Sequence, residues 1–276
     1  MSGQDSIPSD TVCYPAKIMH GHIIQLKDAG VDMIFAPCLT YNINEGKGDN
    51  HYNCPIVAYY PELLNDNMEE LKDIPFLQPY LSIHDQKELA RELIVYFGTL
   101  GRKFSQKEVA AAVRFGFEEY EAYREDIKST GLAIVRKAEE KNRRIMILAG
   151  RPYHIDPEIG HGIDLLSETL GFAVISEDCV CDEVSTQEVA VLNQWTYHTR
   201  LYNSAKYATL HPNVELVQLV SFGCGIDAIT TDEVRSILER SGKMYTQIKI
   251  DEITNLSAVN IRLRSLLGAM EMREQK

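Results

Sequence analysis

Apolar positions along the chain follow two different rhythms. In the C-terminal half, short apolar runs at 144–149, 172–176, 214–221 and 244–250 alternate with segments of helical period at about 159–170, 186–206, 230–240 and 255–271. Runs of that length between turn signals read as buried strands, and their alternation with helices predicts a parallel, doubly wound sheet with its loops gathered at the carboxyl ends of the strands. From about 85 to 142 the pattern is helical throughout, with Leu89, Leu93, Tyr96 and Phe97, then Val109, Val113, Phe117 and Tyr120, then Ile127, Ala133, Ile134 and Ala138 separated by charged faces. Ser105 with Glu108 three residues on has the spacing of a capping box.

The first 84 residues are less regular. A helix is predicted over 15–29, with Pro15 in its first turn and Gly30 as its stop, followed by a buried strand at 31–36. The Asn- and Gly-rich stretch 41–53 reads as a loop, 61–71 as a helix opened by Pro61, and 74–81, which carries Pro75 and Pro79, as at best an edge strand. One firm strand and one weak one do not make a stable sheet. The expected organisation is therefore α/β, with an N-terminal unit (1–84) that is incomplete as it stands, a helical segment (85–142) and a C-terminal α/β domain (143–276). A fragment of a longer chain, or completion of the sheet by a partner or by the second domain, would account for the shortfall.

Composition narrows the functional classes. Hydrophobic residues make up 45% and charged residues 25% of the 276, as in globular proteins, and the net charge of −12 disfavours binding to nucleic acid or to an anionic membrane surface. No apolar stretch approaches the roughly 20 residues that span a bilayer, and the opening MSGQDSIPSDT has no apolar signal core. Six cysteines are too few for a disulfide scaffold, so a reducing cytoplasm is the expected location.

The cysteines carry the most specific signal. Four stand beside Pro or Gly at the ends of apolar runs: Cys13-Tyr14-Pro15, Pro37-Cys38, Cys54-Pro55 and Gly223-Cys224-Gly225. Pro fixes a tight loop and Gly admits a bulky group, and thiolates from separated loops are how proteins hold iron–sulfur clusters. The plainer reading, that free cysteines are small buried hydrophobes, does not call for those neighbours. Cys13 would precede a helix start, whose field favours a thiolate, with Lys17 four residues on adding to it. His20 could serve that site or simply pack. His51 lies near Cys54 in a loop that could equally be a solvated turn, and the absence of any C-x2-C pair weakens a structural zinc site. After the strand at 144–149 comes Gly150-Arg151-Pro152-Tyr153-His154-Ile155-Asp156, which is neither a dinucleotide fingerprint nor a P-loop. Arg151, His154 and Asp156 could bind an anion or tune a nearby cluster, or an Arg–Asp pair could fix the loop. Asp227 follows Cys224 within reach of its turn. Cys179 and Cys181, among carboxylates and without Pro or Gly, are set aside from the site.

Together VCYPAKIMHGHI, NHYNCP, GRPYHIDPEI with GHGI, and VSFGCGIDAITTDEV resemble the acyl-CoA dehydratase activase-related proteins, relatives of the 2-hydroxyacyl-CoA dehydratase subunits, over about residues 7–273. The resemblance implies two Rossmann-like units with a cysteine-ligated cluster, 4Fe-4S or larger, in a cleft between them. It also implies a role in ATP-driven, low-potential electron transfer in anaerobic bacteria. Cys13, Cys38 and Cys224 fall where the dehydratase relatives place cluster thiolates, and Cys54 belongs to the NHYNCP motif. The expected ligands are thus Cys13, Cys38, Cys54 and Cys224, with Lys17, His20, His51, Arg151 and His154 around them. The expected role is a reductase or dehydratase component served by an ATP-dependent activase. An acyl-CoA is the substrate class raised, and a homo-oligomer is left open. Two rivals remain: a metal-free enzyme binding an acyl-CoA or phosphorylated ligand through Arg151, His154 and Asp156, and a non-catalytic scaffold that docks an activase.

Overall fold

The computed structural model describes residues 3–221, 223–252 and 254–275. Phe222, inside one of the quoted motifs, lies outside the described residues. Contacts divide the chain into two compact units, residues 1–123 with 194–196, and residues 124–193 with 197–276.

In the first unit, helix α1 (Tyr14–Asp28) ends where the sequence places its stop, with Gly30 at φ 71°. The predicted strand at 31–36 is shorter and continues beyond Pro37, as β1 (Ile34–Phe35) and β2 (Cys38–Leu39). These pair in parallel with β3 (Phe76–Leu77) and β4 (Tyr80–Leu81), respectively. The rungs Ile34 N–H to Pro75 O, Ala36 N–H to Leu77 O and Cys38 N–H to Pro79 O run through both pairs. What divides them is Pro79: in this register its nitrogen faces the Ala36 carbonyl and has no hydrogen to give. Between them helix α2 spans Pro55–Asn67. It starts six residues before the expected Pro61, because Pro55 takes the first-turn position and Pro61 is carried inside the helix. Ala16, Ile23, Ile34, Tyr60, Leu64, Met68 and Leu71 form the core of this unit.

Helices α3 (Gln86–Thr99) and α4 (Gln106–Glu140) occupy the predicted helical stretch. The capping box forms: Ser105 Oγ accepts from Glu108 N–H at 3.2 Å, and the Glu108 carboxylate accepts from Ser105 N–H at 2.9 Å. The 35-residue α4 passes from the first unit into the second.

The second unit contains β5 (Ile145–Ala149), the short helices α5 (Pro157–Gly160) and α6 (Ile163–Thr169), β6 (Ala173–Ile175), α7 (Thr196–Leu210), β7 (Val214–Ser221), α8 (Gly225–Arg240), β8 (Thr246–Ile250) and α9 (Leu256–Glu274). Its sheet is parallel throughout, in the order β6-β5-β7-β8. Every residue of β7 is buried, as expected of a strand covered on both faces. Ile145, Ile147, Ala149, Val214 and Leu216 share one core with Leu201, Tyr202 and Ala205 of α7 and Val234 and Leu238 of α8. Three boundaries differ from expectation. The helix predicted over 159–170 is broken at His161 and Gly162, both with positive φ. Residues 186–195 are irregular, leaving α7 to begin at Thr196. Helix α8 begins at Gly225, five residues before the expected start at Thr230. Among the described residues no helix is long and apolar enough to cross a membrane.

Candidate functional site

In the second unit the chain leaves β5 towards β6 on one side, then crosses back to β7 and β8 on the other. The loops after β5 and β7 therefore diverge at the switch point of the strand order, where doubly wound sheets keep their ligands. Arg151 follows β5, and Cys224 and Asp227 follow β7.

Arg151 joins the two loops. Its guanidinium donates to both Asp227 carboxylate oxygens, Nη2 to Oδ1 at 2.5 Å and Nη1 to Oδ2 at 3.3 Å. Nη2 also lies 3.2 Å from Cys224 Sγ and 3.0 Å from His198 Nε2. Asp227 accepts Ser221 N–H at 3.0 Å, which ties the first turn of α8 to the end of β7. Arg151, Asp227 and His198 are all buried. Burial works against the Arg151 charge, but the acidic groups of Tyr153, Asp227 and Cys224 outweigh it and hold the guanidinium's pKa above its ordinary value. Burial, then the Arg151 charge, depresses both histidines: His198 falls well below the ordinary range and His154 to about 3. Both are neutral, so His198 Nε2 accepts from Arg151. His154 Nδ1 accepts the Arg151 backbone N–H at 2.9 Å. Gly150 is required here, since a Cβ would stand 2.1 Å from His154 Nδ1.

Three of the four candidate cysteines occupy helix starts. Cys13 is the N-cap of α1 with Pro in the first turn, Cys54 the N-cap of α2 with Pro55 next, and Cys224 the N-cap of α8 with Gly225 next. All three have extended backbone and none caps through its sulfur. A thiolate there meets the positive end of the helix dipole. At Cys224 burial is the larger influence and pushes the thiol up, with Arg151 pulling it down. Cys38 is fully buried in β2, and burial raises its thiol as well. The segments bearing Cys38 and Cys54 adjoin: Asn53 N–H donates to Thr40 O at 2.9 Å, and Asn53 Nδ2 to Leu39 O at 3.0 Å.

The expected surrounding groups are placed unevenly. Arg151 and His154 meet as described, whereas Asp156 turns away from Arg151 to cap α5. His20 is fully buried, bridging Ser6 Oγ and Tyr60 Oη at 2.9 Å each. Burial, then Cys13, raises Tyr60 to about 12, which connects this pair to the α1 thiol. Lys17 is buried on α1. His51 packs among Tyr41 and His84, with its pKa lowered by burial and by His84. Cys179 and Cys181 are both buried, Cys179 within the main core of the second unit. Sequence reasoning missed His198 and Glu177. His198 is separated from Arg151 by 47 residues, and no local pattern marks it. Glu177, just after β6, is 3% exposed, and burial followed by the Asp178 charge raises its carboxyl to about 8.

Thiols at helix starts are donors suited to an anionic iron–sulfur group. Among the described residues, however, no three His, Cys, Asp or Glu side chains are already gathered as a metal-holding set. The donor chemistry fits the group; a ready-made cage is not what the fold presents.

A family profile described as CoA enzyme activase uncharacterised domain (DUF2229) matches residues 1–180. That span includes Cys13, Cys38, Cys54, Arg151 and His154 and stops short of Cys224. No curated protein and no solved structure matches the chain.

Proposed function

Since the chain belongs to the CoA enzyme activase uncharacterised domain family, we propose that it is an iron–sulfur component of an ATP-driven, low-potential electron-transfer system of the 2-hydroxyacyl-CoA dehydratase type. Cys13, Cys38, Cys54 and Cys224 supply the thiolates. The observation that supports this reading most is the recurrence of one local design: three cysteines from distant parts of the sequence each occupy the N-cap position of a helix, with Pro or Gly in its first turn. Packing alone gives no reason for a thiol to be placed three times at the positive end of a helix.

When bound, such a cluster accepts and releases single electrons. The chain's own residues do the rest. Arg151 donates an N–H to the Cys224 sulfur, and hydrogen bonds to cluster sulfurs raise the reduction potential. Asp227 and His198 fix the guanidinium in place. The electron donor is an ATP-dependent activase, and an acyl-CoA is the substrate class of the system.

The test is anaerobic reconstitution with iron and sulfide, followed by metal and acid-labile sulfide analysis and visible absorption. Wild-type protein is expected to retain both elements and show the broad thiolate-to-iron bands, and the Cys13→Ser/Cys224→Ser variant to lose them. Iron-free wild type, or equal loading of a variant lacking all four thiols, would overturn the proposal.

A further inference from the structure

The second unit contains a cavity of ≈ 340 Å³ that the cluster reading does not use. That volume is of the order that holds small organic molecules. Its wall is mainly apolar, from Ile127 and Ile134 of α4, Leu148 of β5, and Val174 and Ile175 of β6. It lies beside the carboxyl ends of two parallel strands, the usual side for ligands in such sheets.

One polar group in that wall is fixed in place and left unmet. His154 is 5% exposed, and its Nδ1 accepts the Arg151 backbone N–H at 2.9 Å. Burial, then the Arg151 charge, lowers its pKa to about 3, so the ring is neutral and its one hydrogen sits on Nε2. Among the described residues nothing accepts that hydrogen, and Nε2 is not one of the polar atoms sealed inside the protein. It opens instead on the cavity that His154 lines. The turn at Pro152–Ile155 and the Arg151 N–H hold the ring, so the donor's direction is set before a ligand arrives. Ser176 Oγ, from another lining residue, is engaged with Cys179 Sγ at 3.6 Å. A fixed donor in an apolar wall calls for a single acceptor atom.

The charges around the mouth do not select an ion. Asp126 stands between Arg124 and Lys128 on α4, which pair with Asp182 at 3.3 Å and Glu183 at 2.8 Å. Asp164 also borders a neighbouring depression with Lys137, Lys141 and Arg143. Asp156 caps α5. Both signs are thus present at the rim, and the three aspartates are exposed, whereas the enclosed wall offers only the neutral imidazole. A carboxylate or an ammonium moving inside would lose hydration without gaining a partner charge. A neutral oxygen needs no more than the hydrogen bond that His154 provides.

We infer that this cavity binds an uncharged organic carbonyl compound, its oxygen accepting the His154 Nε2–H and its apolar body lying against Ile134, Leu148, Val174 and Ile175. The inference does not depend on the four candidate cluster thiols.

Acetophenone and α-methylstyrene, which differ by a carbonyl oxygen in place of a methylene, test it together with benzoate. Each is titrated calorimetrically into the full chain, and the carbonyl stretch of bound, 13C-labelled acetophenone is read by infrared difference spectroscopy. In wild type the stretch should fall below its position in an alkane, as for a carbonyl that accepts a hydrogen bond. His154→Phe should return it to the alkane position. The same variant should lower the ratio of ketone to alkene affinity by about three- to tenfold, the worth of one neutral hydrogen bond. Taking the ratio cancels the different solubilities of the two probes. Val174→Trp, which fills the cavity, should abolish binding of both, and benzoate should bind at least about tenfold more weakly than acetophenone. If His154→Phe does not fold, the wild-type stretch and the Val174→Trp titration decide. An alkane-like stretch in wild type, an affinity ratio unchanged by His154→Phe, binding undiminished by Val174→Trp, benzoate binding as tightly as the ketone, or no ketone binding at millimolar concentration would each overturn the inference.

Discussion

Glu177→Gln should make the protein more stable, and increasingly so as the pH rises. Glu177 is 3% exposed at the end of β6, and its carboxyl is lifted from an ordinary 4.5 to about 8, by burial first and then by the Asp178 charge. The Gly150 N–H and the Arg200 charge oppose that rise without cancelling it. For an acid whose folded pKa is raised, the neutral form is the one the fold favours. Its contribution to stability is complete below the unfolded value and is lost progressively up to the folded value. Each pH unit in that interval is worth roughly 1.4 kcal/mol, so between 4.5 and 8 the wild type should lose several kcal/mol, on the order of 3–5, relative to the glutamine variant. Urea unfolding of both proteins across this range provides the measurement. At about pH 5 the two should lie within roughly 1 kcal/mol of each other. Near pH 8 the variant should be ahead by the larger amount, and above it the gap should level off. The comparison cancels His154 and His198, whose depressed pKa values push the wild type and the variant equally in the opposite direction. A difference that stays flat with pH would mean that Glu177 is ionised throughout and balanced by Arg200, and the reasoning would fail.

Two further outcomes follow from the switch-point loops and the core beside them. Asp227→Asn should destabilise the protein by about 3 kcal/mol or more in urea unfolding, because it leaves the buried Arg151 charge without its counter-ion; a loss below about 1 kcal/mol would show the pair to be dispensable. Gly131→Ala should cost roughly 1–3 kcal/mol through overpacking, since its Cβ would stand 2.3 Å from both Cβ and Sγ of Cys179, and Cys179→Gly in the same chain should recover most of the loss in thermal unfolding.

The second unit was largely legible in the sequence because its signals are local. Four apolar runs each fit one strand, and helical segments between them can only be crossovers, so the parallel sheet follows from chain order. The helix starts were harder. Pro61 carries the same start signal as Pro55, and only tertiary packing decides that the helix already runs through it. At α8, Thr230-Thr231-Asp232 resembles a cap, yet the helix is begun earlier by Asp227 accepting the Ser221 N–H, a bond that depends on the strand end being in place. The candidate ligands Cys13, Cys54 and Cys224 could be picked out because Pro and Gly beside a thiol are visible in one dimension. The partners that set the charge at Arg151 could not: Asp227 and His198 reach it only after β5 and β7 have paired. Glu177 escaped for a similar reason, since nothing in Ser176-Glu177-Asp178 announces that one of the two acids will be enclosed.

Pro37 has a bearing on how the first unit survives in a concentrated solution. In the register of β1 and β2 the Ile34, Ala36 and Cys38 amides point at β3 and β4, so the Pro37 nitrogen points the other way, towards the outer flank of the pair. A foreign strand docking along that flank would find no donor at the centre of the segment, midway between the Phe35 and Leu39 amides. Pro37 therefore blunts the strand as a template, giving a short two-stranded element a built-in defence against edge-to-edge aggregation.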